Sequence, residues 1–149
     1  MAAEYIFSEI QAISLNNPVI FRNSIPCNKG YVIHNGEDGV FILRGITNGQ
    51  CYATYQVTFN GNIAIPEGGT VAPIAVALAV NGEARPTSKA IYTPAAVGDY
   101  GNVTSTAIIK VPRCCCFSLS VDSIAANTTD TPAPTIDVQN ANLVISRIA

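Results

Sequence analysis

The sequence predicts an all-β sandwich of antiparallel sheets. Three observations carry that expectation. Short segments alternate apolar and polar residues and are separated by Asn-Gly and Gly-rich turns. No segment of useful length repeats apolar residues at the 3.6-residue period of a helix. The third is the stretch from Gly69 to Arg85, where an apolar run from Val71 to Val80 stops at Asn81-Gly82. Asn-Gly tolerates the positive φ that both central positions of a type I′ hairpin require. The run is therefore expected as a central strand that turns tightly into a partner segment reaching Tyr92. Ile74, Val76, Leu78 and Val80 share one face and Ala75, Ala77 and Ala79 the other, which predicts a close neighbour over the alanines. A chain of 149 residues is long enough for one domain with a sizeable core.

Taken in order, residues 1–8 read as an N-terminal arm, and residues 9–149 as the sandwich domain. Residues 9–15 alternate and form a first expected strand, with Pro18 to Phe21 a short second piece after Asn16-Asn17. Residues 22–30 read as a loop punctuated by Pro26 and Gly30. Tyr31 to His34 and Val40 to Ile46 are strands joined by the turn residues Asn35-Gly36-Glu37-Asp38-Gly39. Asn48-Gly49 leads into Cys51 to Phe59, in which Cys51, Ala53, Tyr55, Val57 and Phe59 share one face and Tyr52, Thr54, Gln56 and Thr58 the other. Asn60-Gly61-Asn62 reads as the next turn, followed by an edge piece from Ile63 to Pro66. Beyond a loop at residues 93–101, Asn102 to Val111 is a strand with Val103, Ser105, Ala107 and Ile109 on one face. Pro112-Arg113 is expected to turn it back onto Cys114 to Val121. Residues 124–134 read as an exposed polar loop, and Thr135 to Val138 with Asn142 to Ile148 as a closing strand pair or one interrupted strand.

Composition narrows the function classes. Charged residues make up 12% of the chain, about half the ordinary share, while 48% are hydrophobic. Low charge with abundant apolar area favours an oligomer that hides surface. A net charge of −2 without a basic run gives no nucleic-acid footprint. The start, Met1-Ala2-Ala3-Glu4-Tyr5-Ile6-Phe7, carries no basic region of the secretory kind, and the longest apolar run is too short for a bilayer, so no membrane partner is expected. Cys27, Cys51, Cys114, Cys115 and Cys116 are odd in number and lack a C-x-x-C pair. They read as reduced thiols serving as small buried hydrophobes.

No catalytic constellation is visible. His34 is the single histidine, and Asp38 is close to it in sequence, in a glycine-flanked turn. Glu37, Asp38, Asp99, Asp122, Asp130 and Asp137 are scattered among turns and match no calcium loop. Tyr31, Tyr92 and Tyr100 are candidates for a sugar platform or for rim packing at a subunit contact. Asn102-Val103-Thr104 and Asn127-Thr128-Thr129 fit the glycosylation pattern. Neither enzyme activity, cofactor nor metal is expected.

The order of these pieces resembles a known family. Asp38-Gly39-Val40-Phe41, followed by Gly49-Gln50-Cys51-Tyr52-Ala53-Thr54-Tyr55, resembles the G-x-F and G-x-Y-x-x-Y core of the C1q/tumour-necrosis-factor jelly roll. The Asn81-Gly82 hairpin, Ala107-Ile108-Ile109-Lys110-Val111 and Ala141-Asn142-Leu143-Val144-Ile145 follow in the family's order. Arg44-Gly45-Ile46-Thr47, the segment Asn62 to Val71 and Gln139-Asn140-Ala141-Asn142-Leu143 are similar to small proteins of tailed phages and prophages of gut Firmicutes, and such modules also end spore-surface collagen-like proteins. The resemblance implies a jelly-roll sandwich of two antiparallel sheets and a homotrimer. It places Ala53, Tyr55 and Val57 on the threefold axis, joined by Leu143 and Ile145. The function it implies is a structural virion protein, a trimeric head decoration or head-fibre protein assembled in the host cytoplasm. Its partner is a phage capsid protein, met through the N-terminal arm. The alternatives are a trimeric glycan- or receptor-binding module using loops 93–101 and 122–134, or a bacterial spore or cell-surface protein.

Overall fold

A computed structural model describes residues 2–25, 30–34, 38–127 and 133–149. Among them the regular structure is β, apart from one 3-10 turn at Pro86–Ser88. The strands are β1 (Ala2–Phe7), β2 (Gln11–Ser14), β3 (Asn23–Ile25), β4 (Val32–His34), β5 (Phe41–Arg44), β6 (Tyr52–Ala64), β7 (Ile74–Val80), β8 (Glu83–Ala84), β9 (Ala90–Tyr92), β10 (Gly101–Pro112), β11 (Cys116–Ala125) and β12 (Thr135–Arg147). They form two antiparallel sheets, as the sequence predicts. The front sheet runs β10-β6-β12-β1-β3, with β2 pairing the first half of β12. The back sheet runs β4-β5-β11-β7-β8, with β9 also on β7.

The alternation read from the sequence sorts the core. Along β6, Ala53, Tyr55, Val57 and Phe59 are buried and Gln56 and Asn60 are exposed. On β10, Val103, Ser105 and Ile109 point inward, as expected. Between the sheets Tyr5, Phe21, Phe41 and Phe59 make a chain of ring contacts with centroids 4.5 to 6.4 Å apart. Asn81 and Gly82 have φ of 53° and 81°, the pair of values the Asn-Gly hairpin needs. Both faces of β7 are covered. Ile74, Val76 and Leu78 join the core. Lys89, which precedes β9 on one flank of β7, reaches Ala126 C=O on the other flank with its Nζ at 3.2 Å.

Five expectations are corrected. Residues 1–8 are not a docking arm: from Ala2 on they form β1, held between β12 and β3, with Ala3, Tyr5 and Phe7 buried. Pro18 to Phe21 is not a strand. It is held by one bridge, Pro18 to Asp122, and by the Gln11 amide, which bonds both Ile20 N–H and Ile20 C=O at 2.9 Å. Residues 22–30 are not all loop, since they contain β3. Asn60-Gly61-Asn62 is not a turn but the middle of β6, paired on both sides by β10 and β12. The Phe59 ring lies over Gly61, 2.9 Å from where a Cβ would stand, so this glycine makes room for a side chain rather than for a turn. Finally, Cys114 to Val121 does not pair back on β10: the chain crosses there to the back sheet, where β11 pairs β5 and β7. Pro26, Cys27, residues 35–37 and residues 128–132 of the polar loop lie outside the described residues.

Asp122 gives a test of the back sheet. It is half-buried, its Oδ1 accepts the Ser120 hydroxyl at 2.8 Å, and burial pushes its carboxyl above the ordinary 3.8 despite that bond. A raised folded-state value means the ionised form costs stability. The cost is fully present above the folded value and vanishes below the unfolded one. Asp122→Asn is therefore expected to raise the melting temperature at pH 7, with the gain fading as pH falls toward about 4 and gone below it. Thermal melts of both forms between pH 3 and 7 check it. A lower melting temperature for the variant at pH 7 means the Ser120 bond outweighs the burial.

Candidate oligomer interface

The residues expected to line a subunit contact do not face outward. Ala53, Tyr55, Val57 and Leu143 are fully buried and Ile145 is 1% exposed, all inside one chain between its own two sheets. The sequence shows the apolar face of β6 correctly, but that face is covered by the back sheet. The surface of this sheet is formed by the opposite parity, because adjacent residues on a strand point to opposite faces.

That outward face has an unusual composition. On β6 it carries Thr54, Gln56, Thr58, Asn60 and Asn62, and on β10 the residues opposite them, Lys110, Ile108, Thr106, Thr104 and Asn102. On β12 it carries Asn142, Val144 and Ser146, and on β1 Glu4 and Ile6. Its charged residues on these four strands are Glu4, Lys110 and, at the far end of β12, Asp137. Glu4 is held from the side by Asn142, whose Nδ2–H donates to Oε2 at 2.6 Å. The amides and hydroxyls bond one another across the strands. Asn102 Nδ2 donates to Asn60 Oδ1 at 2.8 Å and to Asn62 Oδ1 at 3.1 Å, and Thr104 Oγ1 donates to Asn60 Oδ1 at 3.3 Å. The Thr58 and Thr106 hydroxyls are 3.1 Å apart, and Thr106 Oγ1 also donates to Val57 C=O. These bonds fix rotamers before any partner arrives, which lowers the ordering cost of packing another surface on the face. Ile108, 49% exposed, stands at its edge. Beside it a groove of about 350 Å³ opens between β8 and β10, lined by Arg85, Ile108, Lys110 and Phe117 among others.

Comparison with solved structures places this arrangement. The globular domain of zebrafish complement 1qA protein superposes with a TM-score of 0.65 at 11% identity, covering 99% of this chain and 97% of that one. The fold is a TNF/C1q-like jelly roll. Eiger TNF from S. frugiperda matches with a TM-score of 0.63 at 9% identity over 100% of this chain and 92% of its own, and murine APRIL with 0.60 at 7% identity over 99% and 100%. No protein-family model matches the sequence, and no curated protein does. The likeness is thus one of jelly-roll architecture, to C1q and TNF-family domains, and the strand order read from weak motifs is the order observed.

The other candidate residues lie apart from this face. His34 is not an exposed turn residue. It ends β4, with its ring stacked on Phe41 at 4.3 Å and edge-on to Tyr5 at 5.1 Å. Its Nε2 meets the Asp38 backbone oxygen at 2.6 Å, while the Asp38 carboxylate accepts Gly39 N–H, so histidine and acid side chains are not paired. The three tyrosines are split between opposite ends of the sandwich. Tyr31 lies under the Arg147 guanidinium, 4.4 Å away, at the end where β12 stops. Tyr92 and Tyr100 lie at the other end, beside the start of β10. Burial and the Asp99 carboxylate raise the Tyr92 hydroxyl above its ordinary value, and burial with Asp137 does the same for Tyr100. Asp99, Asp122 and Asp137 do not converge, and among the described residues no three of the His, Cys, Asp and Glu side chains come together as a metal site. Asn102 is engaged in the amide ladder, and the triplet from Asn127 runs outside the described residues.

The cysteine expectation is overturned. Cys51, Cys114, Cys115 and Cys116 are all free and exposed, and Cys27 lies outside the described residues. Cys114 and Cys115 stand in the connection between β10 and β11, not in a strand, and Cys114 has a φ of 65°.

Proposed function

We propose that the chain is a structural assembly protein, a homotrimer joined through the outward face of the front sheet, that decorates the head of a tailed phage or tips a head fibre. The observation that carries the trimer is that face: an internally bonded surface whose charged side chains on four strands are Glu4, Lys110 and Asp137, with neutral amides and hydroxyls between them. Desolvating neutral amides and hydroxyls costs less than desolvating ions, so such a face is cheap to bury against a copy of itself. The chain's low overall charge and the known trimeric habit of TNF/C1q-like domains support the same reading. The phage setting rests on the likeness of Arg44-Gly45-Ile46-Thr47, of residues 62–71 and of residues 139–143 to phage proteins. With β1 built into the sheet, the capsid contact belongs to the folded surface of the trimer and not to an arm.

Light scattering on the purified chain tests the trimer: the expected mass is about three times 15.6 kDa. Thr106→Arg places a long cation halfway along β10, among the bonded hydroxyls of the face, and is expected to yield a folded monomer, by circular dichroism and mass together. A Thr106→Arg protein that keeps the wild-type mass overturns this face as the contact. Mass spectrometry and immunogold labelling of purified virions test the location. A protein absent from particles sinks the virion reading and directs a glycan array at the same protein, with Tyr92 and Tyr100 as the first residues to vary.

A further inference from the structure

The exposed cysteines converge at one end of the sandwich. Arg113 N–H donates to Cys51 C=O at 2.9 Å, which brings the chain just before β6 against the turn that carries Cys114 and Cys115. Gly45 clamps that turn from the third side: its C=O accepts Cys114 N–H at 3.0 Å and its N–H donates to Cys115 C=O at 2.8 Å. Cys116 opens β11 opposite Arg44. Cysteine is ordinarily among the most buried residue types, so four exposed thiols on a firmly bonded backbone are a departure that the fold does not require.

The charge at this end is equally one-sided. Arg44 and Arg147 end β5 and β12, Lys110 lies near the end of β10, and Arg113 sits in the thiol turn. These are four of the chain's eight Lys and Arg residues. Segments 44–55, 110–116 and 145–149, which build this end, contain no Asp or Glu. Acids on other strands include Glu83, on the hairpin beside β11, and Glu4, bonded to Asn142. A cationic end discourages free metal cations and also a second cationic end of the same kind. It attracts anions, raising their local concentration and encounter rate.

We infer that this end is a site of thiol–disulfide exchange with small anionic disulfides, of which oxidised glutathione is the type. The step balances as it stands. A cysteine thiolate attacks one sulfur of the disulfide, a protein–sulfur bond forms, the disulfide bond breaks, and one free thiolate leaves. The product is a mixed disulfide that carries carboxylates onto the cationic end and lowers its positive charge. The inference uses neither the trimer nor the phage setting and stands or falls separately from them.

The test is intact-mass spectrometry of the folded full chain with oxidised glutathione and, in parallel, with the uncharged hydroxyethyl disulfide. Peptide mapping assigns the adducts. The expected result is glutathione adducts on Cys51 or Cys114 to Cys116, with formation at low salt slowed roughly tenfold by Arg113→Glu or by raised ionic strength. The reaction with hydroxyethyl disulfide should be unchanged by both. Arg113 is exposed and its side chain has no structural bond among the described contacts, so circular dichroism is expected to stay that of the wild type. Three results overturn the proposal: no adduct on the folded chain, adducts at Cys27 alone, or equal effects of Arg113→Glu on the charged and uncharged disulfides.

Discussion

Removing residues 2–7 is expected to abolish the folded state. The segment supplies β1, whose partners are β12 from Ala2↔Ser146 to Phe7↔Ala141 and β3 from Glu4 to Ile6. Its loss leaves the outer half of β12 unpaired on one side and detaches β3. It also empties the core of Ala3, Tyr5 and Phe7, each less than one-tenth exposed, and removes the ring that Phe41 and His34 pack against. Deleting two buried aromatic side chains costs about 3–5 kcal/mol each. That loss alone matches much of the roughly 5–15 kcal/mol by which a domain of this size is stable. Circular dichroism and limited proteolysis of the truncated chain read the outcome directly. The same measurement separates two views of the N-terminus. A truncated protein that still melts cooperatively and still sediments as an oligomer makes the segment a detachable arm. A collapsed or aggregated product makes it a structural strand, as the pairing with β12 requires.

The sequence carried some of these features plainly and hid others for physical reasons. Asn81-Gly82 was legible because a type I′ turn is a local event set by two residues' φ angles. The inward faces of β6 and β10 were legible because a half-buried strand writes its burial as alternation. Asn60-Gly61-Asn62 misleads because turn propensity is also local, whereas the segment's state is decided by two long neighbours that pair with it from both sides. β1 carried a signal, since Tyr5 and Phe7 alternate with Glu4. The expectation that chain ends are loose overrode it. The outward face of β6 lies one residue of register from the face picked out in the sequence. The apolar face of β6 was identified correctly, but its partner is the chain's own back sheet, so the polar Thr-Asn face became the candidate contact. The exposure of Cys51 and Cys114 to Cys116 had no sequence signal, because thiol burial depends on where the β10–β11 crossing leaves the sandwich.

Gly45→Ala is expected to be the most damaging single-methyl substitution in the chain's clamp around the thiol turn. The glycine does not need an unusual φ. It needs the absence of a side chain, because a Cβ there would stand 2.1 Å from the Pro112 carbonyl oxygen and 2.9 Å from that of Cys115. Both obstacles are backbone, so no rotamer change relieves them. The turn must move, and moving it breaks the two bonds Gly45 makes to Cys114 and Cys115. The strain extends inward. Arg44, the preceding residue, bonds Gly30 C=O through its guanidinium and offers its own carbonyl to the buried Tyr55 hydroxyl at 2.5 Å. The Arg44-Gly45 pair is therefore a junction between β5, β6 and the β10–β11 crossing. A loss of about 3 kcal/mol or more follows from displaced backbone with broken buried bonds. Gly49→Ala is the matched control. Gly49 has a φ of 82° and open space around its Cβ position, so its substitution meets conformational strain alone, about 1 kcal/mol. Urea unfolding of both variants decides between close approach and mere turn preference. A Gly45→Ala midpoint well below that of Gly49→Ala establishes the clamp. Equal midpoints remove the close approach of β5 to the crossing as the reason for this glycine, and with it the rigidity assigned to the thiol turn.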